Sequence, residues 1–172
     1  SSLVSVTLPS TIKELGSELF TNCGSLTGVV LNNGLTKIGS RAFANCPALA
    51  SVPLTSNLVV IGDEAFENCQ NLTSLTIPES VDSIGYGAFS GCKGLRSLSL
   101  NNNITAISDN MFYGCSGLTE VEIPSKVTTI GAHAFDGCSS VATLKLGSSL
   151  TSIGMAAFGN CNNISVIYSY NL

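Results

Sequence analysis

Residues 72–94 read LTSLTIPESVDSIGYGAFSGCKG, and variants of this pattern fill the chain from end to end. Leu75 and Ile77 are two apart, with Ser74 and Thr76 on the alternate side, which is the periodicity of a strand with one buried face. Pro78 ends the pairing, residues 81–84 carry the chain across, and Gly85 permits a sharp bend. A tight helical or 3₁₀ turn through Ala88 and Phe89 is expected to close the coil. Glycine holds the bend in six of seven repeats and Ser108 in the other. The backbone there is therefore expected to take an unusual conformation that is not strictly limited to glycine, with room for a local distortion near Ser108.

The register of this stretch is fixed by two residue types. Cys23, Cys46, Cys69, Cys92, Cys115, Cys138 and Cys161 are spaced by 23 residues throughout, and all seven phenylalanines precede them by three. Seven full repeats start at Leu3, Leu26, Leu49, Leu72, Leu95, Leu118 and Val141, and a partial one occupies 164–172. A period of this length without insertions lies in the leucine-rich-repeat range. A single 23-residue coil cannot bury its own apolar face, whereas stacked copies turn each column into a continuous ladder. The expected fold is an α/β repeat solenoid: a right-handed leucine-rich-repeat coil with a parallel sheet on the concave face and short helical or 3₁₀ turns on the convex side. Residues 1–172 read as one such domain within a longer protein.

Composition narrows the function. Hydrophobic residues make up 44% of the chain and charged ones 10%, yet runs such as 58–61 fall far short of the roughly 20 residues needed to span a bilayer. No membrane insertion by this segment is expected. A net charge of −4 with scattered Lys and Arg argues against nucleic acid as a partner.

The motifs LxxLxIP, VxxIG and AFxGC resemble the Treponema-type leucine-rich repeats of BspA-like surface proteins. They stand here as Ile77 followed by Pro78, Ile123 followed by Pro124, residues 81–85 and 127–131, and residues 88–92 and 134–138. The resemblance covers essentially the whole chain. It implies a cell-surface or secreted protein of host-associated bacteria or parasitic protists, some members being adhesins for matrix or plasma proteins. Proline is missing from the strand-end column at Asn32, Thr55, Asn101 and Gly147, and Met111 replaces the usual alanine.

Few residues invite chemistry. The cysteines occupy an inward column and are expected to be buried free thiols, because parallel positions on stacked coils do not suit disulfide geometry. No CxxC pair exists, and the single histidine, His133, lies on another column, a variable one expected to face solvent. No catalytic constellation, cofactor or metal site can be assembled, so no enzyme activity is expected. Sequons at Asn71, Asn103 and Asn163 fall in turns and carry weight only in a secretory eukaryote.

The outward strand positions form two columns that are small, polar and nearly uncharged through Ser74, Thr76, Ser97 and Ser99. Glu120 and Glu122 follow, with Lys145 one coil beyond and placed to neutralise Glu122. Val166, Tyr168 and Tyr170 form the only aromatic group expected on that face, and exposed aromatics are common interface anchors. These ten residues are the candidate protein-binding positions. The leading reading is a non-catalytic recognition module for a host, matrix or self partner. Its rivals are a rigid spacer of roughly 35–40 Å, favoured by the charge-poor face, and an intracellular scaffold. Homotypic association through strand edges at the solenoid ends is a further expectation.

Overall fold

The computed structural model describes residues 2–170. Among them the strands are β1 (Ser5–Thr7), β2 (Glu14–Leu15), β3 (Gly28–Val30), β4 (Lys37–Ile38), β5 (Val60–Ile61), β6 (Ser74–Thr76) and β7 (Ser83–Ile84). They continue with β8 (Ser97–Ser99), β9 (Ala106–Ile107), β10 (Glu120–Glu122), β11 (Thr129–Ile130), β12 (Thr143–Leu146), β13 (Ser152–Ile153) and β14 (Val166–Ser169). Each coil contributes a principal strand and a two-residue strand, except that 51–54 in the third coil forms only a bridge, Gly28 to Ser51. All pairs are parallel and offset by one repeat, as in Leu75 with Leu98 and Ile38 with Ile61. Pro53, in the column between Val30 and Thr76, brings no N–H to the ladder, and the sheet is interrupted there.

The turn side departs from expectation. Among the described residues there is no α-helix or 3₁₀-helix, so the solenoid is all-β with turns. An α-helix needs each N–H to reach back four residues within its own chain segment. Here the N–H groups of Gly87, Phe89 and Gly91 instead reach Asp109, Met111 and Tyr113 of the next coil. Those of Ser90 and Cys92 close four-residue turns onto the carbonyls of Gly87 and Phe89. Two positions per coil are left-handed, represented by Gly87 (φ 56°) and Gly91 (φ 72°), which also prevents a continuous helix.

Stacking closes the core. The seven phenylalanine rings form one ladder with centroids 5.2–5.6 Å apart, and Phe43 through Phe135 are fully buried. The thiol ladder beside it is free and buried except for Cys161, which is half-buried. Burial pushes the thiols of Cys69 and Cys115 up, and that of Cys92 up to about 12.

The bend glycines have a different cause from the one expected. None of them has a positive φ. A Cβ on Gly62 would sit 2.6 Å from the Ser40 nitrogen, and one on Gly39 would sit 2.6 Å from the Leu15 carbonyl oxygen. Gly16, in the first coil, has nothing within 4 Å. Close approach of the preceding coil, not dihedral freedom, excludes a side chain. At Ser108 the short-strand ladder breaks between β7 and β9, and the serine hydroxyl donates instead to the Gly85 carbonyl at 2.7 Å.

The strand-end column also acquires a rationale. Asn101 is buried, its Nδ2 donates to the carbonyls of Pro78 and Val81, and its Oδ1 accepts from the N–H groups of Asn103 and Ile104. Asn32 makes the same bridge to Pro9 and Ile12. At Gly147 a Cβ would lie 2.8 Å from the Pro124 carbonyl carbon. Thr55 has no such arrangement, and its Oγ1 is buried without a hydrogen-bond partner.

Candidate functional site

Strand alternation places the ten sequence-selected residues, but not in one site. Ser74 pairs with Ser97 and Thr76 with Ser99 across β6 and β8, and all four are exposed. They form a hydroxyl-lined surface in the middle of the solenoid, where backbone pairing points alternate side chains outward, and Ser74 and Thr76 border a depression shared with Pro53 and Pro78.

The charged group is one coil step further along. Glu120 and Glu122 project from the same face of β10, and Lys145 stands opposite Glu122 on β12. The ammonium contacts both carboxylates, at 2.5 Å from Glu120 Oε1 and 3.3 Å from Glu122 Oε2. These hydrogen bonds, first to Glu120 and then to Glu122, raise the Lys145 pKa to about 12. A lysine spanning two carboxylates leaves little capacity for a second cation, and the trio is a solvated ion network of small energetic weight. With Arg96, Ser97, Leu98 and Thr119 it lines a shallow polar depression.

The aromatic group follows directly. β14 pairs with β12 so that Val166 stands beside Thr143 and Tyr168 beside Lys145. Val166, Tyr168 and Tyr170 are 39%, 53% and 62% exposed. Ile167, opposite Leu144 in the core column, is 60% exposed in this last described strand. The tyrosines and the ion network are thus contiguous, and Ser97 joins the network's depression, although β6 and β8 form a sheet of their own that is not hydrogen-bonded to β10.

His133 keeps partial access to solvent, with its side chain 35% exposed, and it is also tied to a neighbour. It has φ 54° and is half-buried, and its Nδ1 lies 2.9 Å from Asp136 Oδ2. Asp136 also accepts from Asn160 Nδ2 at 2.8 Å. The hydrogen bond with His133, offset partly by burial and reinforced by Asn160, holds the Asp136 carboxyl below the usual aspartate range. This is a turn clasp with no nucleophile attached. Among the described residues no three metal-ligating side chains are grouped, and no helix is long and apolar enough to cross a membrane.

Sequence reasoning missed two exposed tyrosines on the turn side, Tyr86 and Tyr113, at 48% and 47% exposure. Both were legible as column outliers. Tyr86 shares its column with Ser17, Ser40, Asp63, Asp109, Ala132 and Met155, and Tyr113 with Thr21, Ala44, Glu67, Ser90, Asp136 and Gly159, and each tyrosine is the one aromatic residue of its column.

Comparison with known proteins gives a consistent result. The sequence profile of the BspA type Leucine rich repeat region, in six copies, matches residues 1–117 and 59–171. A leucine-rich-repeat protein of T. pallidum is 30% identical with a TM-score of 0.87, over 95% of this chain and 79% of that one. A leucine-rich cell surface protein of Faecalibacterium prausnitzii A2-165 is 26% identical with a TM-score of 0.69, over 99% of this chain and 60% of that one. A leucine-rich-repeat protein of Bacteroides ovatus is 25% identical with a TM-score of 0.73, over 97% of this chain and 55% of that one. This chain therefore spans little more than half the length of the last two. No curated protein matches it.

Proposed function

Because the chain belongs to the BspA-type leucine-rich-repeat family, we propose that it is a non-catalytic protein-recognition module of a cell-surface or secreted protein, docking a host or matrix protein. The carrying observation is the contiguity of Val166, Tyr168 and Tyr170 with the Lys145 network on one strand face. Amphipathic rings beside a fixed charge combine apolar anchoring with orientation, the pattern of interface hot spots. The F. prausnitzii neighbour, described as a cell surface protein, supports the compartment.

A second reading is favoured by a separate observation. The central face is hydroxyl-lined and charge-poor at Ser74, Thr76, Ser97 and Ser99, which suits a rigid spacer displaying other domains. Biolayer interferometry against fibronectin, fibrinogen, collagen and laminin separates the two. Saturable binding that a Tyr168→Ala/Tyr170→Ala double variant loses, with its thermal unfolding unchanged, supports the recognition module at this edge. Saturable binding that persists in the variant moves the anchor elsewhere, and binding to none of the four favours the spacer.

A further inference from the structure

We propose that the turn side carries a second recognition site, a cleft over Gly87 that takes an arginine side chain of a partner protein between the Glu64 and Glu67 carboxylates and the Tyr86 and Tyr113 rings. This goes beyond the strand-face reading and does not depend on it.

The cleft follows from one missing side chain. The column Glu18, Arg41, Glu64, Gly87, Asn110, His133, Ala156 has φ between 51° and 59° throughout, and only Gly87 lacks a side chain. Its neighbours stand one coil to each side, so the walls are two coil steps apart, about 10 Å between backbones. Glu64 and Glu67 form one wall, Tyr113 with Asn110 the other, and Tyr86 borders the opening, with Gly87 and the small Ser90 between them. Asn110 Nδ2 donates to the Tyr86 hydroxyl at 2.9 Å, which restrains that ring.

The protein displays the preferred occupant on the far side of the same wall. Arg41, the column member one coil before Glu64, places its guanidinium 2.5 Å from Glu64 Oε2, 3.7 Å from Glu67 Oε2 and 3.8 Å from Glu18 Oε1. Three carboxylates against one guanidinium leave this cluster formally at −2. Burial, and then the charge of Glu64, push the Glu67 carboxyl up against the lowering effect of Arg41. Burial is the larger of these effects, and the repulsion from Glu64 adds to it. On the Gly87 side the equivalent position holds no cation, and tyrosine rings stand where a planar guanidinium can stack and still reach a carboxylate. Charge complementarity therefore selects a cationic partner, and the ring-plus-carboxylate walls select arginine.

The test is an amide chemical-shift titration of the labelled protein with acetyl-Gly-Arg-Gly-amide, its citrulline counterpart and its lysine counterpart. Saturable millimolar shifts confined to Gly87, Ser90 and their coil neighbours, seen with arginine and absent with neutral citrulline, are expected. Affinity should fall about threefold in Tyr113→Ala, the size of one exposed cation–π contact. In Gly87→Arg, which supplies the guanidinium internally, binding should fall tenfold or more. Arg41, at φ 56° in the same column, shows that the backbone accepts this substitution. Shifts spread over acidic residues generally, unchanged binding in Gly87→Arg, equal affinity for the lysine peptide, or no saturation up to roughly 50 mM would each overturn the proposal. Failure of matrix-protein binding at the strand face would leave these shifts untouched.

Discussion

The Sγ of Cys92 donates to the carbonyl oxygen of Phe66 in the preceding coil, 3.3 Å away, and the same link recurs at five other cysteines from Cys46 to Cys161. The thiol therefore fills an apolar column and also gives a weak donor to a turn carbonyl. Because burial raises the Cys92 pKa to about 12, almost no thiolate is present at neutral pH. Iodoacetamide applied to the native protein should modify the half-buried Cys161 well before Cys92, as read by peptide mass mapping. Equal labelling of the two would contradict the buried ladder. Cys92→Ala should destabilise by about 1–2 kcal/mol in urea denaturation.

The bend glycines should respond by position. A Cβ at Gly62 would meet backbone of the preceding coil at 2.6 Å, whereas Gly16 faces open space. Gly62→Ala is expected to lose about 1–3 kcal/mol through forced separation of the coils. Gly16→Ala should stay within about 0.5 kcal/mol of the parent. Similar losses at both sites would mean that bend conformation rather than coil contact sets the requirement.

The strand-end column supports a paired experiment. Asn101→Ala leaves the N–H groups of Asn103 and Ile104, and two carbonyls, without their side-chain partner, at about 2–4 kcal/mol. Thr55→Val removes an orphaned buried hydroxyl with little change of shape and should stabilise by about 1 kcal/mol. Chemical denaturation of both variants checks this, and a destabilised Thr55→Val would show that the hydroxyl has a partner after all.

Asp136 should make stability fall in acid. Its folded pKa lies below the ordinary value because of the His133 hydrogen bond first, with Asn160 helping. A depressed folded pKa means that the unfolded chain takes up the proton first as pH drops. The contribution is complete above the unfolded aspartate value of about 4 and disappears as pH falls through the lower folded value. Asp136→Asn should flatten the pH dependence of the unfolding free energy below about pH 5. A parallel profile in parent and variant would remove Asp136 from the acid response.

Much of this architecture was legible because a one-dimensional stack turns sequence period into spatial register. The 23-residue spacing of Phe and Cys alone places Phe66 on Phe89 and Ser74 beside Ser97, since every ladder pairs equivalent positions. The Glu122–Lys145 proximity followed from the same arithmetic. The turn side was less legible. Alanine, phenylalanine and small polar residues near Phe89 suit a helical turn by local preference, but the N–H groups there bond to the next coil, a non-local choice that no window of sequence contains. Tyr86 and Tyr113 were visible only as the aromatic members of their columns, and the cleft they line with Glu64 and Glu67 depends on Gly87 having no side chain.

The sequence by itself determined the repeat, the register, the inward Phe and Cys columns and the outward strand positions, because identical coils can bury their apolar faces only by stacking in phase. The tertiary structure decided what neighbouring coils do to one another. It set which carbonyl each thiol and asparagine side chain reaches, why glycine holds the bend, and where an absent side chain opens a cleft. Those outcomes depend on distances of a few ångströms between residues about 23 positions apart, and local preference carries no information at that separation.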